Sequence, residues 1–508
     1  MYFYAWGTMP FPDAFRFGGR IIFCPYGGSL MEENKTRVTA PRELPREDIE
    51  KQFHFAARVA AIHQQNGCAG ENAPKCFVQT FGCQQNEADS ERIAGLACLM
   101  GYTITHDPAE AKLILVNTCA VREHAEKKAL SIIGQYKHLK EADPEVIIGV
   151  GGCMATQQHR AEQLKRSYPY VSFVFDTASV HTLPELVAGI LGGGSRKFFV
   201  GGEANIAEGI PTHREISYKA WLSVMYGCNN FCSYCIVPYT RGRERSRTPE
   251  AILAEARQLI DSGAKDITLL GQNVNSYGRD QEGTNFAQLL RSVARLDGDF
   301  RVRFMTSHPK DASDELIDVM AENEKIVRHF HLPLQSGSDA ILRSMNRRYT
   351  AEKYYSIVEK LRSAMPDISL TSEIIVGFPG ETEEDFEATM EMLRRVQYDA
   401  IFSFIYSPRK GTPAAEMDGQ VPHDVSTARF ERMLELQNEI SLARNQRFVG
   451  RTLRVLAEEI SHGDAERITA RGDSPRPIHV KADPSLIGQF IDVKITAADT
   501  FSLMADLV

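Results

Sequence analysis

The sequence predicts an α/β multidomain chain: an N-terminal Rossmann-like parallel-sheet domain, a central β/α barrel (partial or full) and a small all-β barrel at the C-terminus. Three observations carry that prediction. Short apolar, β-branched runs alternate with helical stretches over 76–205, and the alternation returns on a larger scale over 214–442. From 445 to 508 the helical pattern gives way to short strands separated by turn residues. The bulk composition agrees. With 508 residues, 43% apolar and 24% charged, the chain is globular and long enough for about three domains. A net charge of -8 supplies no bulk positive field, so a nucleic-acid partner needs a local basic patch. No run of 18 apolar residues is present, and no membrane span is expected. The ten cysteines all lie in the first half, too sparse for a disulfide scaffold, and no basic-then-apolar leader precedes them. A reducing, cytoplasmic setting and a metal or redox role follow as expectations.

Taken in order, residues 1–30 hold nine aromatics: Tyr2, Phe3, Tyr4, Trp6, Phe11, Phe15, Phe17, Phe23 and Tyr26. A polar stretch opens at Met31. Two readings compete, an N-terminal extension that folds back and a start placed too early, with the second slightly favoured. Little structure is expected before residue 75, and 1–75 is set apart as an extension. Over 76–205 the strands are CFVQTF, AKLILVNT and EVIIGVGG, with helices after Asn86 and from Val121 to Lys140, and LGGGSRKFFVGG (191–202) reads as a linker. Over 214–442 six strands are expected, in KAWLSVMY, DITLLGQ, RVRFMTS, HFHLPLQ, SLTSEIIVGF and YDAIFSFIY. Helices such as PEAILAEARQLIDSGA fall between them, and FERMLELQNEISLARNQRFVG forms a long helix leading out. Over 445–508 five short strands read as a barrel of the oligonucleotide-binding type. From 451 onward seven basic residues face nine acidic ones, weak support for RNA binding by that barrel.

Chemistry concentrates in the cysteines. Cys228, Cys232 and Cys235 form CNNFCSYC after the strand LSVMYG, at the edge of a barrel where active sites lie. Three thiolates at this spacing hold three irons of a cubane and leave the fourth open. The spacing resembles the radical S-adenosylmethionine signature. A structural zinc site is the plainer alternative, but zinc wants four closed ligands and no fourth is near. Cys83, Cys119 and Cys153 are far apart in sequence, yet each follows a predicted strand. Parallel neighbours bring such residues to one crevice, outside the carboxyl ends of the strands. The glycines at 82, 151 and 152 allow close backbone approach. A second cubane fits there; three inert buried thiols are the alternative. Cys24, Cys68, Cys76 and Cys98 show no convergent pattern.

Polar residues at the ends of the barrel strands suit a small zwitterionic cofactor: Gln272, Asn273, Ser307, His308, Gln335 and Glu373. Ordinary barrel-top turns are the bland reading. Arg241, Arg243, Arg245 and Arg247 form a basic run after the cysteine loop, and Arg347 and Arg348 add a second candidate contact for an RNA backbone. A solvated charged turn is the alternative.

These stretches resemble the tRNA methylthiotransferases of the radical S-adenosylmethionine enzymes, most closely the branch that makes 2-methylthio-N6-isopentenyladenosine. The resemblance rests on TFGCQQNEADS, LVNTCAVRE, IGVGGCMA, GCNNFCSYCIVPYTRGRERSR, LGQNVNSYG, SHPKD, HLPLQSGSD, IIVGFPGETEEDF and FIYSPRKGTPAA, roughly residues 76–415. It implies a methylthiotransferase N-terminal domain, a radical SAM domain and a C-terminal TRAM domain. It implies two 4Fe-4S clusters, a radical one on Cys228, Cys232 and Cys235 and an auxiliary, sulfur-supplying one on Cys83, Cys119 and Cys153. S-adenosylmethionine would be both methyl donor and radical source. The substrate would be a tRNA anticodon stem-loop carrying isopentenylated adenosine 37. An electron donor such as flavodoxin or ferredoxin and iron–sulfur assembly or carrier proteins are the implied partners, with no membrane and a monomeric chain. Rival readings are the relatives that act on threonylcarbamoyladenosine or on ribosomal protein S12, and a non-enzymatic iron–sulfur RNA-binding protein. Gln85 stands where the family more usually has Met, the first 75 residues have no family counterpart, and the TRAM-like end is short and acidic.

Overall fold

The computed structural model describes residues 14–17, 20–23, 43–121, 123–202 and 205–508. Tyr2, Phe3, Tyr4, Trp6, Phe11, Cys24, Tyr26 and Met31 lie outside the described residues. The chain forms two compact units, Met1–Glu215 with Tyr239–Arg245, and Ile216–Pro238 with Ser246–Val508. Among the described residues no helix is long and apolar enough to cross a membrane.

In the first unit a short antiparallel pair, β1 (Ala14–Phe17) and β2 (Arg20–Phe23), comes first. A 20-residue helix, Arg46–Gln65, then corrects the expectation of little structure before residue 75. Its buried face is Ile49, Gln52, Ala56, Val59 and His63, a helical stripe that packs on the helix Leu183–Leu191. Gln52 fixes that packing, donating to Glu185 Oε2 at 3.0 Å and accepting the Glu185 N–H at 3.2 Å.

The body of the unit is a parallel sheet in the order β4-β3-β5-β6-β7-β8. Its strands are β3 (Lys75–Thr80), β4 (Thr103–Ile104), β5 (Ala111–Thr118), β6 (Ile147–Gly152), β7 (Phe173–Phe175) and β8 (Lys197–Phe199). Alternation splits each strand between two cores. Leu113, Leu115, Phe173 and Phe175 face one layer, which includes Ile49, Ala56 and Val59. Ile114, Val116, Ile148, Val150 and Val174 face the other, with Ala129 and Ile133. The expected linker at 191–202 is partly strand: Lys197–Phe199 pairs with Phe173–Phe175 as the sheet edge. Its three residues are too few to show alternation in sequence. The strand order reverses between β3 and β5, a switch point of the kind where ligands collect.

In the second unit, β9 (Lys219–Ser223) leads to β10 (Met225–Tyr226), and β11 (Arg245–Ser246) lies at the unit boundary. The main strands continue with β12 (Asp266–Leu270), β13 (Arg301–Phe304), β14 (His329–His331), β15 (Ser369–Val376) and β16 (Ala400–Ile405). They form two parallel three-stranded sheets, β13-β12-β9 and β14-β15-β16. Beside β13, Val302 donates to Lys325 O at 2.7 Å and accepts from Val327 N–H at 3.0 Å, tying that strand to the segment that leads into β14. Of the two expected forms, the barrel is the partial one. The exit helix, His423–Gln446, begins seven residues before the expected Phe430.

A closed five-stranded barrel completes this unit, in the order β17-β18-β19-β21-β20. The strands are β17 (Thr452–Ile460), β18 (Arg467–Arg471), β19 (Pro477–Lys481), β20 (Phe490–Ala498) and β21 (Leu503–Leu507). Alternate residues such as Val455, Ala457, Ile478, Val480, Val493 and Ile495 fill it.

Candidate active site

Three strand ends in the first unit carry the first cysteine triad. Cys119 and Cys153 directly follow β5 and β6, and Cys83 lies three residues beyond β3. Each is the residue before, or at, a new turn or helix. Gly82 has φ +132°, and a Cβ there would stand 3.0 Å from the Cys119 Cβ. Gly152 has φ +90°, and its Cβ would meet Asn117 Oδ1 and Thr118 O at 2.4 Å. Only glycine fits these positions. Asn86 and Asn117 lock the loops together: Asn86 Nδ2 donates to Thr118 O at 3.0 Å and Asn117 Nδ2 to Asn86 O at 2.8 Å. None of the three is in a disulfide; Cys83 is exposed and the other two are buried. Burial pushes the Cys153 thiol up to about 11; Arg241 works against that, while Cys119 and Cys83 add to it. The three thiols are therefore electrostatic neighbours, as the strand-end argument anticipates.

The second triad sits in the second unit, just past β10. Phe231, at φ +48°, turns the loop, and Cys235 N–H donates to Cys232 O at 2.9 Å. Asn346 Nδ2 donates to Phe231 O at 3.0 Å and Asn230 O at 3.2 Å, fixing the loop from outside. Burial raises the Cys235 thiol, with Cys232 and Cys228 adding to it. Arg347 Nη1 lies 3.3 Å from Cys232 Sγ. Among the described residues, no three or more His, Cys, Asp or Glu side chains gather tightly enough to hold a single metal ion.

Five of the six candidate cofactor residues lie just beyond strand ends of the partial barrel, and Glu373 lies within β15. Gln272 Oε1 accepts the Gly227 N–H, next to Cys228. Asn273 Nδ2 donates to Asp311 Oδ2 at 2.7 Å. Gln335, at φ +71°, donates from Nε2 to Glu373 Oε2 at 3.1 Å. Burial acts to raise the Glu373 carboxyl, but the bonds from His331 and Gln335 and the Arg347 charge hold it below the usual range. Four of the six keep a buried polar atom without a partner: Asn273 Oδ1, Ser307 Oγ, His308 Nε2 and Gln335 Oε1. Native interiors rarely leave such atoms unpaired, and a cluster of them marks a ligand position. This set of polar groups, beside the three cysteines of the second triad, fits S-adenosylmethionine on a 4Fe-4S cluster.

The arginine reading is corrected. Arg241, Arg245, Arg247 and Arg347 are buried, 3–6% exposed, and their guanidinium groups are spent inside the protein. Arg241 Nη2 pairs with Asp89 Oδ2 at 2.7 Å. Arg245 donates to Arg243 O at 2.7 Å. Arg247 bridges Glu255 and Ser223 O, both at 2.7 Å. Arg347 donates to Pro333 O at 3.0 Å. Arg243 and Arg348 alone of the six are exposed. Sequence reasoning also passed over Asn86, Asn117 and Asp89, though all lie inside the first two cysteine motifs.

Comparison with known proteins places this geometry. Residues 222–393 match the Radical SAM superfamily, 75–176 the uncharacterized protein family UPF0004, and 446–508 the TRAM domain. A tRNA-2-methylthio-N(6)-dimethylallyladenosine synthase of Thermoanaerobacter sp. (strain X514) is 48% identical over 433 residues, 85% of this chain and 92% of the relative. One of Acetivibrio thermocellus is 45% identical over 464 residues, 91% of this chain and 97% of the relative. The chain belongs to this family of radical SAM enzymes. Membership brings S-adenosylmethionine and a 4Fe-4S cluster as cofactors and tRNA as substrate class. The solved radical S-adenosylmethionine methyltransferase TsrM of Kitasatospora setae shares the fold, with TM-score 0.51 and 16% identity over 68% of this chain and 75% of that one.

Proposed function

We propose that the chain converts N6-(dimethylallyl)adenosine at position 37 of tRNA to its 2-methylthio derivative. Cys228, Cys232 and Cys235 hold the radical cluster, and Cys83, Cys119 and Cys153 hold an auxiliary cluster. When bound, these clusters and S-adenosylmethionine supply the radical, sulfur and methyl chemistry that C2 of adenine, with neither an acidic proton nor a leaving group, requires. The chain's own residues position and shield. Gln272, Asn273, Gln335 and Glu373 present amide and carboxylate groups to the amino acid end of S-adenosylmethionine. Arg347, beside Cys232 Sγ, offsets negative thiolate charge. Gly82 and Gly152 let Cys83 and Cys153 reach the sheet crevice. Arg348, being exposed, is placed to meet the RNA backbone, and Arg243 is exposed as well. An anticodon loop offers a base that leaves its stack at modest cost. A low-potential donor such as flavodoxin or ferredoxin and iron–sulfur carrier proteins serve the clusters.

The observation that carries this reading is two cysteine triads held in no disulfide, one just beyond the parallel strands β3, β5 and β6 and one in the loop just past β10. Nucleoside mass spectrometry of tRNA from a strain lacking the gene tests it. N6-(dimethylallyl)adenosine should accumulate and its methylthio derivative vanish. Loss of the methylthio group from threonylcarbamoyladenosine instead, or from ribosomal protein S12, would assign the chain to a sister branch.

A further inference from the structure

The mouth of the partial barrel carries more positive charge than its own carboxylates neutralise. Asp311, whose side chain is 1% exposed, accepts Asn273 Nδ2 at 2.7 Å, Lys310 Nζ at 2.6 Å and Arg279 Nη2. Arg279 keeps 56% of its side chain in solvent, and Arg348 is exposed as well. One carboxylate thus serves two cations, Lys310 and Arg279. Behind them His308 is 3% exposed, its ring edge-on to Tyr349 at 5.6 Å. Burial depresses its imidazole far below the usual range, and the charges of Arg347, Lys310, Arg279 and Arg348 push the same way. It is therefore neutral. Its Nδ1 accepts the Lys310 N–H at 3.3 Å, so the ring proton sits on Nε2. That Nε2–H is a buried donor without a partner, and so is the Ser307 hydroxyl. Two unpaired donors set within an excess of cations describe a receptor for an anion.

We propose that this mouth is a phosphate site that receives a phosphodiester of the substrate RNA beside the nucleotide being modified. Arg279, Lys310 and Arg348 supply the charge, and His308 Nε2–H and Ser307 Oγ–H supply directed hydrogen bonds. This assigns Ser307 and His308 to the RNA and away from S-adenosylmethionine, the role the sequence suggested for them. Lys310 and Arg279 were not among the sequence-based candidates. A planar anion such as a carboxylate would also satisfy the donors, so the carboxylate of S-adenosylmethionine is the competing source. The inference rests on the tRNA reading above.

The test uses the holoenzyme and an anticodon stem-loop RNA carrying N6-(dimethylallyl)adenosine. RNA affinity is measured by fluorescence anisotropy across a salt series. S-adenosylmethionine cleavage is measured separately, without RNA, as 5'-deoxyadenosine formed by the reduced enzyme. Arg279→Gln and Arg348→Gln should each weaken RNA binding roughly tenfold and flatten the log–log salt slope by about 0.7. Both should leave the KM for S-adenosylmethionine in the cleavage assay unchanged. Arg279→Lys should restore much of the binding, which separates charge from folding. If the RNA affinity and salt slope stay at wild-type values, the inference fails. If the KM for S-adenosylmethionine rises while RNA binding holds, the site belongs to the cofactor carboxylate and the inference also fails. A wild-type enzyme that neither binds nor modifies this RNA would overturn the tRNA reading itself.

Discussion

Replacing Arg241 with Gln separates a structural arginine from an RNA-binding one. Arg241 and Asp89 have side chains 6% and 9% exposed, and their charges meet at 2.7 Å. An exposed pair contributes about 0–1 kcal/mol, but removing one partner of a buried pair strands the other charge and costs about 3–5 kcal/mol. Asp89 has one further neutral donor, Gln85 Nε2 at 3.2 Å, too little to replace a guanidinium. Arg241→Gln should therefore destabilise the first unit by about 3–5 kcal/mol. Asp89→Asn should cost a comparable amount. The double variant, which leaves no stranded charge, should lose little more than either single one. Urea unfolding of the apoprotein, followed by circular dichroism, reads all three. If Arg241→Gln unfolds within about 0.5 kcal/mol of wild type while RNA affinity falls, the arginine serves the RNA and the burial argument is wrong.

Three further outcomes follow from the same geometry. Cys83→Ala should lower bound iron from about eight atoms per chain to about four and abolish methylthio product while sparing S-adenosylmethionine cleavage; unchanged iron would refute the auxiliary-cluster assignment. Gly152→Ala forces a Cβ to 2.4 Å from Asn117 Oδ1 at φ +90°, so it should cost at least about 2 kcal/mol in urea unfolding and deplete the same iron. Burial, reinforced by Arg303, holds the His329 imidazole at about 3 rather than its usual 6.5. Between those values the unfolded chain binds the extra proton, so stability should fall with falling pH at up to about 1.4 kcal/mol per unit, and His329→Gln should flatten that slope.

What the sequence made legible was local. The strands β3, β5 and β6 are apolar runs that end in glycine or a polar cap, and those endings placed all three cysteines of the first triad correctly beyond strands. The expectation that they converge rests on the further rule that parallel neighbours end on one side. The helix Arg46–Gln65 escaped notice because its buried stripe contains Gln52, Ala56 and His63, so burial there leaves little apolar contrast in sequence. The edge strand β8 escaped because three residues between glycines look like a linker. The closed C-terminal barrel was legible because its five strands are short runs separated by turn residues, three of them alternating.

The arginines fail for a different reason, and it is instructive about charge. Arg241, Arg243, Arg245 and Arg247 sit two apart, and a count of neighbours in sequence finds only Glu244 to oppose them. The partner of Arg241 is Asp89, 152 positions earlier, and that of Arg247 is Glu255 on the following helix. A local count cannot see a counter-ion that arrives through the fold. Burying a guanidinium is costly unless it is paired, so a long-range carboxylate converts an apparent binding surface into an internal strut. The reverse holds at the barrel mouth. Lys310 and Arg279 look neutralised in sequence by adjacent acids, Asp311 and Asp280, yet the fold makes Asp311 serve both of them and Asn273 as well. Asp280 is turned instead to the Ser246 backbone N–H at 2.9 Å. Free positive charge is therefore a property of the three-dimensional pairing. Here that pairing moves it from the YTRGRERSR run to the ends of β12 and β13.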